Sequence, residues 1–185
     1  MSSLYKVTEI EGKGLGCVAI SDIKKGSLIL NEKPKLCVEN EGENWSSEQI
    51  KSLLKYFYEM SKADQLEYMT LNNKFNNIQN FQNSEAIHKC QEVLENVKLG
   101  IGKIEQHPEK AKEILKIFGI LTTNRYEHGV CFKWSRFNHS WQPNAVSFEM
   151  NGQLQLRAIG NIKAGKEINI NYLDELTGFR NRKYH

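Results

Sequence analysis

Closely spaced cysteines, long apolar runs and a strong charge of one sign are all missing from this 185-residue sequence, and each absence removes a class of protein. Cys17, Cys37, Cys90 and Cys131 stand far apart with no CxxC pair, so neither a disulfide framework nor a tetrahedral zinc site is expected. The isolated pair His128 and Cys131 reads as structural, and no metal ligands are assigned. No stretch approaches the roughly 20 continuous apolar residues of a bilayer-spanning helix. Mean hydropathy is −0.56, and no membrane association is expected. The first residues carry Glu9 and Glu11 where a secretory signal needs an apolar core, which argues for a place inside the cell, nucleus or cytoplasm. Lys and Arg number 25 against 22 Asp and Glu, a net charge of +3. The lysines are scattered, so charge gives no reason to expect direct nucleic-acid binding.

The length suits one hydrophobic core, and residues 1–185 are read as a single domain. Its first third has the pattern of strands: Gly12-Lys13-Gly14-Leu15-Gly16, the apolar run Cys17 to Ile20, then Ser27 to Leu30, with a hairpin expected at Lys24-Lys25-Gly26. Helical signals follow. Ser46 and Gln49 are spaced as a capping box ahead of Ile50, Leu53, Leu54 and Phe57. A polar stretch, 72–83, precedes Ile87, Cys90, Leu94 and Val97, and Pro108 and Gly119 bracket Ala111, Ile114, Leu115 and Phe118 with start and stop signals. Strands return with Ala145 to Phe148, a turn at Asn151-Gly152, and Gln153 to Ala158. Residues from about 42 to about 121 therefore read as a helical insertion in an otherwise β domain. A short repeat accompanies the strands, AISDIKKGSLI at 19–29 and AIGNIKAGKEI at 158–168. In both copies a glycine suited to a tight turn precedes a strand, and matching hairpins are expected.

Three segments carry polar residues that chemistry could use. Gly12-x-Gly14-x-Gly16 lacks the spacing of the dinucleotide fingerprint; it is either a bulged turn or a backbone that approaches a small ligand closely. Asn138 and His139 sit in Arg136-Phe137-Asn138-His139-Ser140-Trp141-Gln142-Pro143-Asn144. Tyr172 ends the strand that follows Gly165-Lys166-Glu167. Taken singly, each is compatible with a turn or with packing.

In this order and spacing the three resemble the SET-domain family, whose pattern is GxG near the start, then NHSCxPN, then GEELxxxY. The likeness covers Lys6 to Leu36 and Thr123 to Asp174. Gly129-Val130-Cys131-Phe132 and Tyr172-Leu173-Asp174 look most like the SET-and-MYND subgroup, without a MYND zinc pattern. The resemblance implies a mainly β SET fold, small sheets with a C-terminal pseudoknot, α+β overall with its helical insertion. It implies S-adenosyl-L-methionine as cofactor and a lysine side chain of a histone or non-histone protein as substrate. Lys13, Gly14 and Leu15 would hold the methionine part, Asn138 and His139 the amino group and adenine, with Asn124 a further cofactor candidate. Tyr172 would be catalytic, in a channel walled by Tyr126 and Phe137. Methyl transfer to a neutral amine is an in-line displacement, so orientation and desolvation matter more than a strong base.

Three departures from the family pattern stand out. Trp141 replaces the usual Cys and is expected to pack, Lys166 replaces the first Glu of GEE, and no cysteine cluster follows Tyr172. Phe179 or Tyr184, the insertion, or a partner chain would then complete the cofactor lid. These departures also allow a second reading, a catalytically weak or inactive SET-fold protein-binding module. A thiol hydrolase using Cys131 with His128 or His139 is a third.

Overall fold

Two glycines fold the N-terminal segment back on itself. In the computed structural model, which describes residues 3–37, 46–73, 108–126 and 129–172, β1 (Tyr5–Ile10) pairs antiparallel with β2 (Gly14–Ala19), Ile10 opposite Gly14. Gly12 and Gly14 take φ of +72° and +73° at the tip, a left-handed backbone that strains a residue with a Cβ. A second sheet has the order β3-β8-β7, all antiparallel, from β3 (Leu28–Glu32), β7 (Ala145–Met150) and β8 (Gln153–Ala158). The expected turn at Asn151-Gly152 joins β7 to β8 with two positive φ values, 56° and 70°, whose twist matches that of the flanking strands. Alternation along β8 sends Leu154, Leu156 and Ala158 into the core. A two-residue parallel pair, β6 (Asn138–His139) with β9 (Asn169–Ile170), completes the β framework of this part of the chain.

The chain divides into two compact units, Met1–Pro34 with Cys131–His185, and Lys35–Val130. The first holds the sheets above. The second holds α1 (Ser47–Glu59), α2 (Lys62–Tyr68), α3 (Pro108–Asn124) and the short ribbon of β4 (Arg125–Tyr126) with β5 (Gly129–Val130). The capping box forms as expected: Gln49 N donates to Ser46 Oγ at 3.2 Å, and Ser46 N donates to Gln49 Oε1 at 2.8 Å. The face behind it, Ile50, Leu53, Leu54 and Phe57, is buried. The expected fold class, mainly β with helices and α+β in sum, is the one the chain adopts.

Two local expectations are corrected. Gly119 does not end α3, which continues to Asn124. Ile117, Phe118, Ile120 and Leu121 are all buried, and burying that face outweighs the roughly 1 kcal/mol that a helical glycine costs relative to alanine. The turn at Lys24-Lys25-Gly26 does not join β2 to β3 in a hairpin, because β2 pairs with β1 and β3 with β8. The two copies of the repeat pair with each other instead. Ile23 and Ile162 exchange both backbone hydrogen bonds at 2.8 Å, Gly26 N donates to Ala158 O, and Gly165 N donates to Ala19 O, each at 2.8 Å. Side chains follow the same two-fold logic: Asn161 Oδ1 accepts from Lys25 N, and Asp22 Oδ1 accepts from Ala164 N. A turn has unpaired backbone groups, and a second turn of the same shape is the partner that satisfies them.

The segment with Ile87, Cys90, Leu94 and Val97 lies outside the described residues. Among the described residues no helix is long and apolar enough to cross a membrane.

Ile23 and Ile162 are each 2% exposed, so Ile23→Ala and Ile162→Ala should each lower stability by about 2–4 kcal/mol. The double variant should lose less than the sum, because the two residues are partners. Denaturant unfolding of all three variants checks this; a loss below about 0.5 kcal/mol at either position contradicts the central place given to this pair.

Candidate functional site

Backbone pairing brings the three polar segments together within the first unit. Residues 165–168 lie along β2: Ala19 N donates to Lys166 O at 2.9 Å and Ile168 N to Cys17 O at 2.8 Å. The next two residues, β9, pair in parallel with Asn138 and His139. Asn144 fastens the junction, donating from Nδ2 to Glu167 O and accepting from Asn169 N, both at 2.9 Å. Gly16 shows how close the approach is. A Cβ there would lie 2.6 Å from Asn138 Nδ2, 2.7 Å from Ile10 Cγ1 and 3.1 Å from Glu167 Oε1. The turn reading of the glycine cluster holds at Gly12 and Gly14, while Gly16 permits close contact with the protein's own side chains.

Glu167 joins two of the expected site residues. Its Oε2 accepts from Lys13 Nζ at 2.8 Å, and its Oε1 accepts from Asn138 Nδ2 at 2.9 Å. Burial pushes this carboxyl up, but hydrogen bonds from Lys13, Asn138 and Asn169 outweigh it and hold the carboxyl below its ordinary 4.5. The site thus carries a retained negative charge. Asn169 Oδ1 is buried and has no hydrogen-bond partner among the described residues.

Beside this charge lies an aromatic group. Tyr172 Oη donates to Phe137 O at 2.7 Å, and Tyr172 N donates to His139 Nδ1 at 3.1 Å. The Tyr172 ring stands 5.4 Å from that of His139 and 6.2 Å from that of Trp134. With its proton given to a backbone carbonyl, the phenol turns its oxygen lone pairs elsewhere. Trp134 is itself anchored: its backbone N–H and that of Lys133 both bond to the Glu32 carboxylate, and its indole Nε1 donates to Ser147 Oγ. A buried carboxylate capping this turn fixes one wall of the group.

The remaining expected residues lie as follows. Gly14 and Leu15 are on the exposed hairpin tip. Phe137 is fully buried, its ring edge-on to Tyr5 at 5.0 Å, so its backbone carbonyl is what it turns to Tyr172. Asn124 and Tyr126 belong to the second unit; Asn124 is buried, and its Nδ2 donates to Asn72 O and Ile120 O. Trp141, expected to pack, is 74% exposed, with its ring edge-on to His139 at 5.0 Å. Cys131 is fully buried, which denies a hydrolase substrate access to its thiol. Burial pushes the Cys17 thiol up to about 12, so it is not a nucleophile either. His128, Phe179 and Tyr184 lie outside the described residues. Sequence reasoning assigned no role to Glu167 or Asn144; the available signal was a carboxylate next to the Gly165 turn and an Asn directly after Pro143.

A family model, SET domain, matches residues 14–173. A SET domain-containing protein of Acanthamoeba polyphaga mimivirus is 24% identical over 180 residues, 94% of this chain and 69% of that protein. Among solved structures, the SET domain of LSMT bound to lysine and AdoHcy is similar with a TM-score of 0.52 and 17% identity, over 92% of this chain and 49% of that one. Rubisco LSMT bound to AdoMet gives a TM-score of 0.54 and 18% identity, over 92% and 48%. The chain thus spans about half the length of these solved chains, and at this identity the likeness concerns the fold.

Two outcomes test the geometry. Gly16→Ala should destabilise by about 1–3 kcal/mol through the clash with Asn138 and Glu167, and by more than Gly14→Ala, whose added Cβ meets no atom within 4 Å and costs only backbone strain of about 1 kcal/mol. Thermal unfolding ranks them, and the reverse order contradicts the close approach.

The second outcome concerns pH. Because the native Glu167 carboxyl titrates below its unfolded value of 4.5, it contributes stability above that value that is lost as pH falls through the native one. Glu167→Gln should flatten this acid limb of the pH–stability curve. An unchanged limb contradicts the arrangement.

Proposed function

The chain belongs to the SET-domain family, and on that premise we propose that it is an S-adenosyl-L-methionine-dependent protein lysine N-methyltransferase. The observation that carries the reading is the Tyr172 hydroxyl, held 2.7 Å from Phe137 O, with the Tyr172 ring beside that of His139. The substrate is a lysine of a histone or non-histone protein. Within the family, Gly129 to Phe132 and the run from Tyr172 to Asp174 support a place nearest the SET-and-MYND subgroup.

The residues present fit the cofactor. Its amino-acid head needs acceptors for an ammonium group, and Glu167 together with Asn169 Oδ1, which has no partner among the described residues, would supply them. It also needs a backbone it can approach, and Gly14 has open space where a side chain would stand. Lys13, Gly14 and Leu15 would hold the head, with Asn138 and His139 completing the cradle. When bound, the cofactor supplies an electrophilic methyl group on a sulfonium.

The chain's own residues do the rest. Tyr172 Oη, fixed by Phe137 O, presents lone pairs that stabilise the positive methyl as it moves toward the amine. The rings of Tyr172, His139 and Trp134 stand together and would help keep water from the reacting amine. Asn144 and the β6–β9 pair hold these groups to one geometry, which is what an in-line displacement demands.

Tyr172→Phe keeps the ring and removes the hydroxyl, so stability should change by no more than about 1 kcal/mol and cofactor affinity should hold. The methyl-transfer rate should fall by about two orders of magnitude. Single-turnover transfer from labelled cofactor to a protein extract, with calorimetry on the same preparations, checks both. Transfer at the unmutated rate removes Tyr172 from catalysis; an unmutated chain that binds cofactor and methylates nothing fits the non-catalytic binding module.

A further inference from the structure

Pairing of the two repeat copies gathers lysines that the sequence scatters. Residues 19–27 and 158–166 hold Lys24, Lys25, Lys163 and Lys166, all exposed, against the single acid Asp22. Their net charge of +3 equals that of the whole chain, so the rest of the sequence balances and the excess positive charge belongs to these turns. Asp22 is taken up by Lys163 at 2.7 Å and by Ala164 N at 2.9 Å, which leaves Lys24, Lys25 and Lys166 as the surplus. Each turn also lies against an exposed isoleucine of the other copy. Ala19 bonds to Gly165 and Lys166 at 2.8 and 2.9 Å, and Ala158 to Gly26 and Ser27 at 2.8 and 3.1 Å. The residues that follow, Ile20 and Ile159, therefore stand beside the opposite turns, 52% and 43% exposed. One exposed apolar side chain is ordinary. Two at the same repeat position, each beside a lysine-bearing turn, make a duplicated surface pattern.

We propose that the paired turns dock an extended protein segment in which acidic residues alternate with aliphatic ones. Its carboxylates meet Lys24, Lys25 and Lys166, and its aliphatic side chains cover Ile20, Ile159 and the lysine stems. A phosphate backbone would use the cations but has no group that gains by covering an isoleucine, so the apolar pair selects a peptide over a nucleic acid. The reach is short. Three residues separate each isoleucine from the Ile23–Ile162 bridge, so the two lie at most about 27 Å apart, and about eight extended residues meet both. The surface involves neither Tyr172 nor the cofactor residues. It serves an enzyme that docks its protein substrate and a binding module alike, and its failure leaves the methyltransferase reading standing.

Fluorescence anisotropy of the full chain with three labelled probes tests this: a peptide of about twelve residues alternating glutamate and leucine, the same peptide with serine for leucine, and a DNA duplex of about twelve base pairs. The glutamate–leucine peptide is expected to bind at least about fivefold tighter than either control, and more weakly as salt is raised. Lys24→Glu with Lys25→Glu should weaken it by at least about tenfold. Ile20→Ser and Ile159→Ser should each weaken it by about threefold or more, and thermal unfolding of each variant, all at exposed positions, checks that the fold is kept. If the lysine variant does not fold, the salt dependence of the unmutated chain and the two isoleucine variants carry the test. Equal binding of the leucine and serine peptides, no binding of either, or affinity unchanged in the variants overturns the inference. Tighter binding of the duplex overturns it in favour of a phosphate-binding surface.

Discussion

Backbone hydrogen bonds hold residues 165–170 from two directions, with β2 along the first part and Asn138–His139 along the second. Every expected site residue of the first unit takes its position from this arrangement. The glycine hairpin is an extension of β2, Asn138 and His139 are the partner strand, and Tyr172 follows β9 directly. Asn144 adds two side-chain hydrogen bonds to the same stretch. Each such bond contributes only about 1 kcal/mol net, but a buried group left without its partner costs more than that. The segment therefore has one well-satisfied register, and the side chains of three distant parts of the sequence inherit it.

The reciprocal turns at 19–26 and 158–165 make that register possible. Each turn offers the backbone groups the other lacks, with Ile23 and Ile162 buried at the centre. Their pairing delivers Gly165 and Lys166 to the end of β2, so Glu167 lies opposite Val18 and its side chain reaches Lys13 near the hairpin tip. From there the chemistry is electrostatic. A carboxylate close to Lys13 and Asn138 stays ionised, and an aromatic group a few residues away stays apolar. A retained charge and an aromatic group are thus placed side by side by one strand, and the proposed reading rests on that arrangement.

Much of the local structure was legible in the sequence because its causes are local. Ser46 and Gln49 cap α1 through atoms three residues apart, Asn151 and Gly152 turn the chain through their own dihedral preferences, and alternation along 153–158 states which side chains face inward. The order of the three polar segments was likewise legible as a pattern. Gly119 misled because its stop signal was weighed without the buried face that continues to Leu121. The hairpin expected at Lys24-Lys25-Gly26 misled for a related reason: a turn sequence specifies a bend, not the strand that lies opposite.

The sequence by itself determined most of the elements and the bends between them, since periodicity, capping and backbone preference act over a few residues. Tertiary structure alone decided the partners. That Glu167 would bridge Lys13 and Asn138, that the repeat would pair with itself, and that Trp141 would stand in solvent beside His139 depended on which backbone edges remained unpaired once the sheets had formed. Contacts between residues more than a hundred positions apart leave no local trace, because the physical reason for them is a vacancy created elsewhere in the fold.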